Sequence, residues 1–280
     1  NSSIGLIYAL KKIFIGCYYY IFYYNFKKKK INLKTINKFL KKNKLYFFNY
    51  SKNYFFGGFY KLCAVLISPL FLTLSPNFIS LLNLLSGFSG LILFIVFSFN
   101  LKIVIIFFLL SFILDFVDGL IARILNKSSF YGRFIDGLID LFVFGFLHLI
   151  LLFYLLKTSN HIISNFFYLF YFVTIFLLPI QHLILDRFSA LARWCNKINK
   201  DNKIRPYYRN EYLNKFTLLF VDLQHLSIFL ILFVGEFYIS YIINFFFLIS
   251  FLASICSIFI YFSLSKKKFI FTSNQKDNDE

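Results

Sequence analysis

The sequence is built on six apolar runs, each close to the roughly 20 residues that a helix needs to cross a hydrocarbon layer about 30 Å thick. They cover 77 to 99, 101 to 124, 133 to 156, 161 to 184, 217 to 235 and 238 to 264. In lipid every backbone amide must find its partner inside the protein, which leaves the α-helix as the spanning structure for runs of this kind. The expected fold is therefore an all-α integral membrane protein with six transmembrane helices. The connections after the first, third and fifth runs are only a few residues, so those helices pair as antiparallel hairpins, whereas the connection 185 to 216 is long, polar and basic. A seventh apolar stretch, 59 to 75, is shorter, carries Lys61 and is followed by Pro76. It reads as a helix lying in the membrane interface.

Basic residues orient such a chain, because short cytoplasmic segments carry the excess of Lys and Arg. Thirteen precede Pro76, three (Arg123, Lys127, Arg133) separate the second and third runs, eight lie in 185 to 216, and four follow the sixth run. With six spans these 28 share one side, and only Lys102 and Lys157 fall on the other. Both termini and both basic connections are expected in the cytoplasm. The formal charge of +18 thus does not read as a nucleic-acid footprint, since it accompanies 59% hydrophobic and 23% aromatic residues and sorts by membrane side.

The flanks carry less. Residues 1 to 58 form a basic leader in which Ile13 to Phe26 is too short and tyrosine-rich for a span. Attraction to anionic lipid is its plain reading. The start at Asn1 and the absence of Met also suit the tail of a missing upstream segment, and no signal-peptide pattern is present. Residues 265 to 280 read as a cytoplasmic polar tail. Cys17, Cys63, Cys195 and Cys256 are widely separated and suggest neither zinc nor a disulfide framework, and His148, His161 and His182 lack ligand spacing. Asp222, Gln224 and His225 suit either an acceptor pocket or hydrogen bonds between helices.

The acidic residues are more informative than the basic ones. None of the 12 precedes Asp115, and Asp115, Asp118, Asp136 and Asp140 fall within one otherwise apolar stretch, at the cytoplasmic ends of the second and third runs. Carboxylates in a spanning segment each cost a few kcal/mol or more, and like charges together cost more still unless they are neutralised. The spacings i, i+3 and i, i+4 put each pair on one helix face. A short turn around Asn126 to Tyr131 lets the two faces converge, giving an all-oxygen site suited to Mg²⁺ or Mn²⁺. Gly119, Ala122 and Gly132 keep the surrounding surface open, and Arg123 offers a forked donor for phosphate.

The pattern Asp115-x2-Asp118-Gly119-x2-Ala122-Arg123-x8-Gly132-x3-Asp136-x3-Asp140 resembles the signature of the CDP-alcohol phosphotransferase family at every specified position. Pro76-Asn77-Phe78-Ile79-Ser80 is similar to the family's Pro-Asn-x-x-Thr element, with Ser for Thr. The resemblance implies a six-helix domain over 76 to 264 preceded by an interfacial helix. It implies transfer of a phosphatidyl or equivalent group from a CDP-linked donor, commonly CDP-diacylglycerol, to a small alcohol acceptor with release of CMP, in phospholipid synthesis.

In this sequence's own residues the resemblance assigns Asp115, Asp118, Asp136 and Asp140 to Mg²⁺ or Mn²⁺, two ions in all, with Asp140 also the base that deprotonates the acceptor. Asn77, Ser80, Gly119, Ala122, Arg123, Ser129 and Gly132 would bind the CDP donor. Arg133 and Arg187 are the candidates for an anionic acceptor. A homodimer embedded among membrane lipids, with its active site at the cytoplasmic face and no nucleic-acid partner, completes the expectation. Two alternatives stand beside it. One uses a non-diacylglycerol CDP-alcohol donor on the same fold. The other is a cation transporter with an acidic transit site, which leaves Gly119, Ala122, Arg123 and Gly132 unexplained.

Overall fold

The computed structural model describes residues 55 to 125, 127 to 158, 165 to 198 and 211 to 274. They form seven helices: α1 (Phe55–Phe71), α2 (Pro76–Ile95), α3 (Leu101–Ile124), α4 (Phe130–Thr158), α5 (Asn165–Ile198), α6 (Glu211–Phe233) and α7 (Glu236–Asn274). Among the described residues five stretches are long and apolar enough to cross a membrane: Pro76–Ile95, Leu101–Ile124, Tyr131–Thr158, Tyr168–Ala192 and Glu236–Ser265. That composition is consistent with a multi-pass membrane protein. The expected span 217 to 235 falls on α6, of which Leu219–Phe233 is described as an apolar helical stretch shorter than those five.

Two expected ends also shift. Part of the connection 185 to 216 is helical, since α5 continues to Ile198 and α6 starts at Glu211. The last helix likewise runs past 264, through Lys266 to Lys268, to Asn274. Charged residues end a membrane span, not a helix; Lys and Arg are good helix formers. The leader up to residue 54, His161 and residues 275 to 280 lie outside the described residues.

Helix starts follow local chemistry. Ser75 caps α2, its Oγ accepting the Phe78 N–H at 3.3 Å, with Pro76 in the first helical position where no N–H is needed. Asn100 caps α3 by accepting the Lys102 N–H at 2.9 Å. Ser129 caps α4 by accepting the Gly132 N–H at 2.9 Å. Each cap satisfies a backbone donor that would otherwise face the membrane boundary unpaired.

By contact the chain divides into two compact units, one comprising residues up to Ser86 with Phe108–Asp140, the other Gly87–Phe107 and the residues from Leu141 on. In the first unit a buried cluster of Ala64, Ile79, Leu114, Val117 and Ile121 joins α1, α2 and α3. Tyr60 extends it, stacking on Phe116 at 6.1 Å. Leu114, Val117 and Ile121 recur at three- and four-residue intervals, so they form one face of α3. Asp115 and Asp118 each follow a member of that stripe by one residue, turned roughly 100° from it. The helix that carries the acids is therefore held by its apolar side.

In the second unit α7 packs on both α5 and α6. Polar side chains stitch these contacts. Tyr171 donates to Asn244, Ser254 donates to Gln181 at 2.8 Å, and Gln224 donates to Ser250 at 3.0 Å.

Candidate active site

Two hairpin-linked helices bring the acids together. Asp115 and Asp118 project from the second half of α3, and Asp136 and Asp140 from the first half of α4. One oxygen from each of Asp115, Asp118 and Asp136 lies within 4.8 Å of the others. Asp136 stands close enough to Asp115 and Asp118 to interact directly with both. Asp140, one turn further along α4, is not one of the three but interacts electrostatically with Asp115 and Asp136. Ionised carboxylates this close repel one another, and none of them carries a donor to offset the repulsion. The cluster must thus take up protons or a cation, and its all-oxygen donor set fits a hard divalent ion.

Asp118 is the most enclosed of the four, 4% exposed, and it accepts a hydrogen bond from Ser80 on α2 at 2.5 Å. Ser80 is itself buried. Deeper between the same helices, Ser111 donates to the buried Asn83. The α2–α3 pair therefore has two polar pins, and one of them ends on an acid of the cluster.

The remaining sequence-derived candidates fall into three groups. Arg123 folds back along α3, so that a Cβ placed on Gly119 would meet both guanidinium Nη atoms at 3.5 Å, and it acts electrostatically on Asp136. Ala122, half-buried, lies beside it, and its carbonyl accepts the Lys127 N–H as α3 ends. Asn77, exposed at the start of α2, approaches the first turn of α4: a Cβ on Gly132 would lie 3.7 Å from Asn77 Oδ1 and 3.1 Å from Ser129 Oγ. Gly132 thus permits a close approach that a larger residue would push apart. Ser129 has a structural task as the cap of α4. Arg133 is exposed on the first turn of α4, and Arg187 is exposed on α5 within the second unit.

Residues 73–204 match the family model for CDP-alcohol phosphatidyltransferase, which takes in α2 to α5 and every acid of the cluster. The chain carries a CDP-alcohol phosphatidyltransferase domain. This is a family of transferases for substituted phosphate groups, which move a phosphate-linked group from a CDP-alcohol to an alcohol acceptor and generally depend on a divalent metal. No curated protein and no solved structure matches the chain.

Lys61 was legible only as an interruption of an apolar helix. It is buried on α1, and burial together with the neighbouring Arg123 guanidinium lowers its ammonium to about 8. It places a second basic group near the arginine of the transferase motif.

Proposed function

We propose that the chain is a metal-dependent phosphatidyltransferase that uses CDP-diacylglycerol as donor and releases CMP at the cytoplasmic face of a six-span bundle. The observation that carries this reading is the convergence of three carboxylate oxygens within 4.8 Å, on two apolar helices, beside Arg123. Such a cluster is costly inside a membrane protein unless it serves a ligand. Its place near the ends of spanning helices suits a donor whose diphosphate stays in water while its acyl chains remain in the bilayer.

Asp115, Asp118 and Asp136 hold Mg²⁺ or Mn²⁺ in this reading, with Asp140 close by. What a bound divalent ion supplies is polarisation of the phosphoryl group and neutralisation of charge on the departing CMP. Arg123 pairs with phosphate oxygens through its forked guanidinium, while Asn77, Gly119, Ala122 and Gly132 admit the flat nucleotide against the backbone. Asp140 accepts the proton of the acceptor hydroxyl. That oxygen forms a bond to the phosphorus distal to cytidine, the anhydride P–O bond breaks, and CMP leaves with the bonding electrons. A carboxylate can serve as the base when it is within hydrogen-bond reach of the hydroxyl. Asp140 is favoured because it stands next to the three-oxygen group rather than inside it. Arg133, exposed on the first turn of α4, is the residue of the first unit through which an anionic acceptor would be held.

The direct experiment supplies purified protein with CDP-diacylglycerol, Mg²⁺ or Mn²⁺ and a panel of alcohols, and measures CMP. Acceptor-dependent CMP release, abolished by chelation and by Asp140→Asn, is the expected result. Release with CDP-polyols but not with CDP-diacylglycerol would replace the donor. Nucleotide-independent ion flux in liposomes, without CMP, would overturn the enzyme reading.

A further inference from the structure

We infer that Ser80 is a positioning residue that sets Asp118 for metal binding, not a contact to the CDP donor; the inference rests on the metal triad proposed above. Its hydroxyl has one proton and two acceptors in reach, Asp118 Oδ2 at 2.5 Å and the Pro76 carbonyl at 3.2 Å. The shorter contact to the carboxylate takes the proton, since hydrogen bonds to charged groups are shorter and roughly twice as strong as neutral ones. With the proton committed and the residue 6% exposed, Ser80 has little left to offer a nucleotide.

The effect on Asp118 is specific. A carboxylate has two oxygens with about four acceptor sites, so accepting Ser80 leaves capacity for a cation. What the bond removes is rotation: Asp118 is tied to α2 as well as to its own α3, while α1, α2 and α3 share one buried cluster. Carboxylates that ligate metals are commonly held in this way by outer partners, whose loss typically costs about 10- to 100-fold in metal affinity or activity. The Asn83–Ser111 pin, between the same two helices, provides an internal control because its hydrogen bonds join the two residues to each other and not to the acids.

The test is Mn²⁺ binding to the purified protein, read by the loss of the free-ion EPR signal, beside the Mg²⁺ and donor dependence of CMP release. Ser80→Ala should weaken Mn²⁺ binding by about 10- to 100-fold and raise the Mg²⁺ needed for half-maximal rate, with a smaller change in donor KM. Ser80→Thr, which keeps the hydroxyl, should restore binding, and Ser111→Ala should leave it near wild type. Should Ser80→Ala fail to fold, Ser80→Cys keeps the volume with a weak donor and should show the same metal defect. Unchanged Mn²⁺ binding with a raised donor KM would overturn the inference and return Ser80 to the nucleotide. An equal loss in Ser111→Ala would overturn it too, in favour of helix packing alone. Wild-type protein that binds no Mn²⁺ would refute the metal reading itself, and Ser80's role with it.

Discussion

Polar side chains enter apolar helices in both units of the molecule, and the two units resolve them in opposite ways. In the second unit Ser250 sits between partners: it accepts from Gln224 at 3.0 Å, and its one proton is shared between the Phe246 carbonyl at 2.8 Å and His148 Nε2 at 3.2 Å. His148 Nδ1–H donates in turn to the Phe144 carbonyl at 2.8 Å. These groups are neutral, mutually complementary and completely buried or nearly so. In the first unit Asp115, Asp118, Asp136 and Asp140 face one another, four acceptors with no donors among them when ionised. A satisfied network holds helices together, whereas an unsatisfiable one has to be completed from outside. Like-charged groups are kept close at functional sites, where stability is given up for chemistry.

The largest expected effect breaks the comparison in the first unit. Asp136→Asn removes one carboxylate from the three-oxygen group. Metal stabilisation of a transferring phosphoryl group is worth several kcal/mol, so CMP release should fall by about a thousandfold. Without added metal the same variant should melt no lower than wild type, because one source of like-charge repulsion has gone. Retained activity, or a large drop in melting temperature, would put this cluster in the same class as the second unit's network.

The complementary change is Ser250→Ala. It removes the hydroxyl shared by Gln224 and His148, and polar contacts between membrane helices average about 0.6 kcal/mol, with values up to about 1.7. A loss of roughly 1 to 2 kcal/mol, the cost of leaving buried groups unpaired, should lower the melting temperature in detergent. The activity of the folded fraction should stay within about twofold, a change of some 0.4 kcal/mol in barrier. Activity that collapses while the melting temperature holds would instead make this network part of the acceptor pocket.

The sequence made the acids legible because helical periodicity is local. Spacings of three and four residues fix which side chains share a face before any tertiary contact is known, and α3 spans Leu101–Ile124, the bounds expected from its apolar run. The partner of Gln224 was not legible, since pairing with Ser250 depends on the register between α6 and α7, which no local pattern encodes. Ser80 and Ser129 were read through the resemblance as donor contacts. A serine just before an apolar helix is also a capping signal, which for Ser129 describes the hydrogen bond to Gly132. For Ser80 no local signal points to Asp118, because that bond crosses from one helix to the next.

A smaller effect sharpens the comparison at Ser129. Loss of an N-cap costs about 1 kcal/mol, and here the cap lies at the start of the helix that carries Asp136 and Asp140. Ser129→Ala should lower stability by about that amount and raise the metal requirement modestly, whereas Ser129→Asp, a good cap, should restore both. A donor KM that rises with stability unchanged would mark Ser129 as a nucleotide contact instead.

Lys61 provides a pH signature of its own in the alkaline range. It lies on α1, outside the candidate spans, and its ammonium is lowered from 10.5 to about 8 by burial first and by Arg123 second. Below pH 8 the amine is protonated in both the folded and unfolded chain, and the folded state carries the full penalty. Between about 8 and 10.5 the folded state has released its proton while the unfolded chain still binds one, so stability rises with pH across that window. Lys61→Met removes the charge and keeps the apolar stem. It should melt a few degrees above wild type at pH 7, with the gap closing as pH approaches 10. Melts of the two proteins at those pH values decide the matter: a gap that does not change with pH would mean that packing, not charge burial, governs this position. Stabilisation with a raised donor KM would mean that the amine beside Arg123 is retained for a phosphate at the expense of stability, the same exchange that the aspartates make.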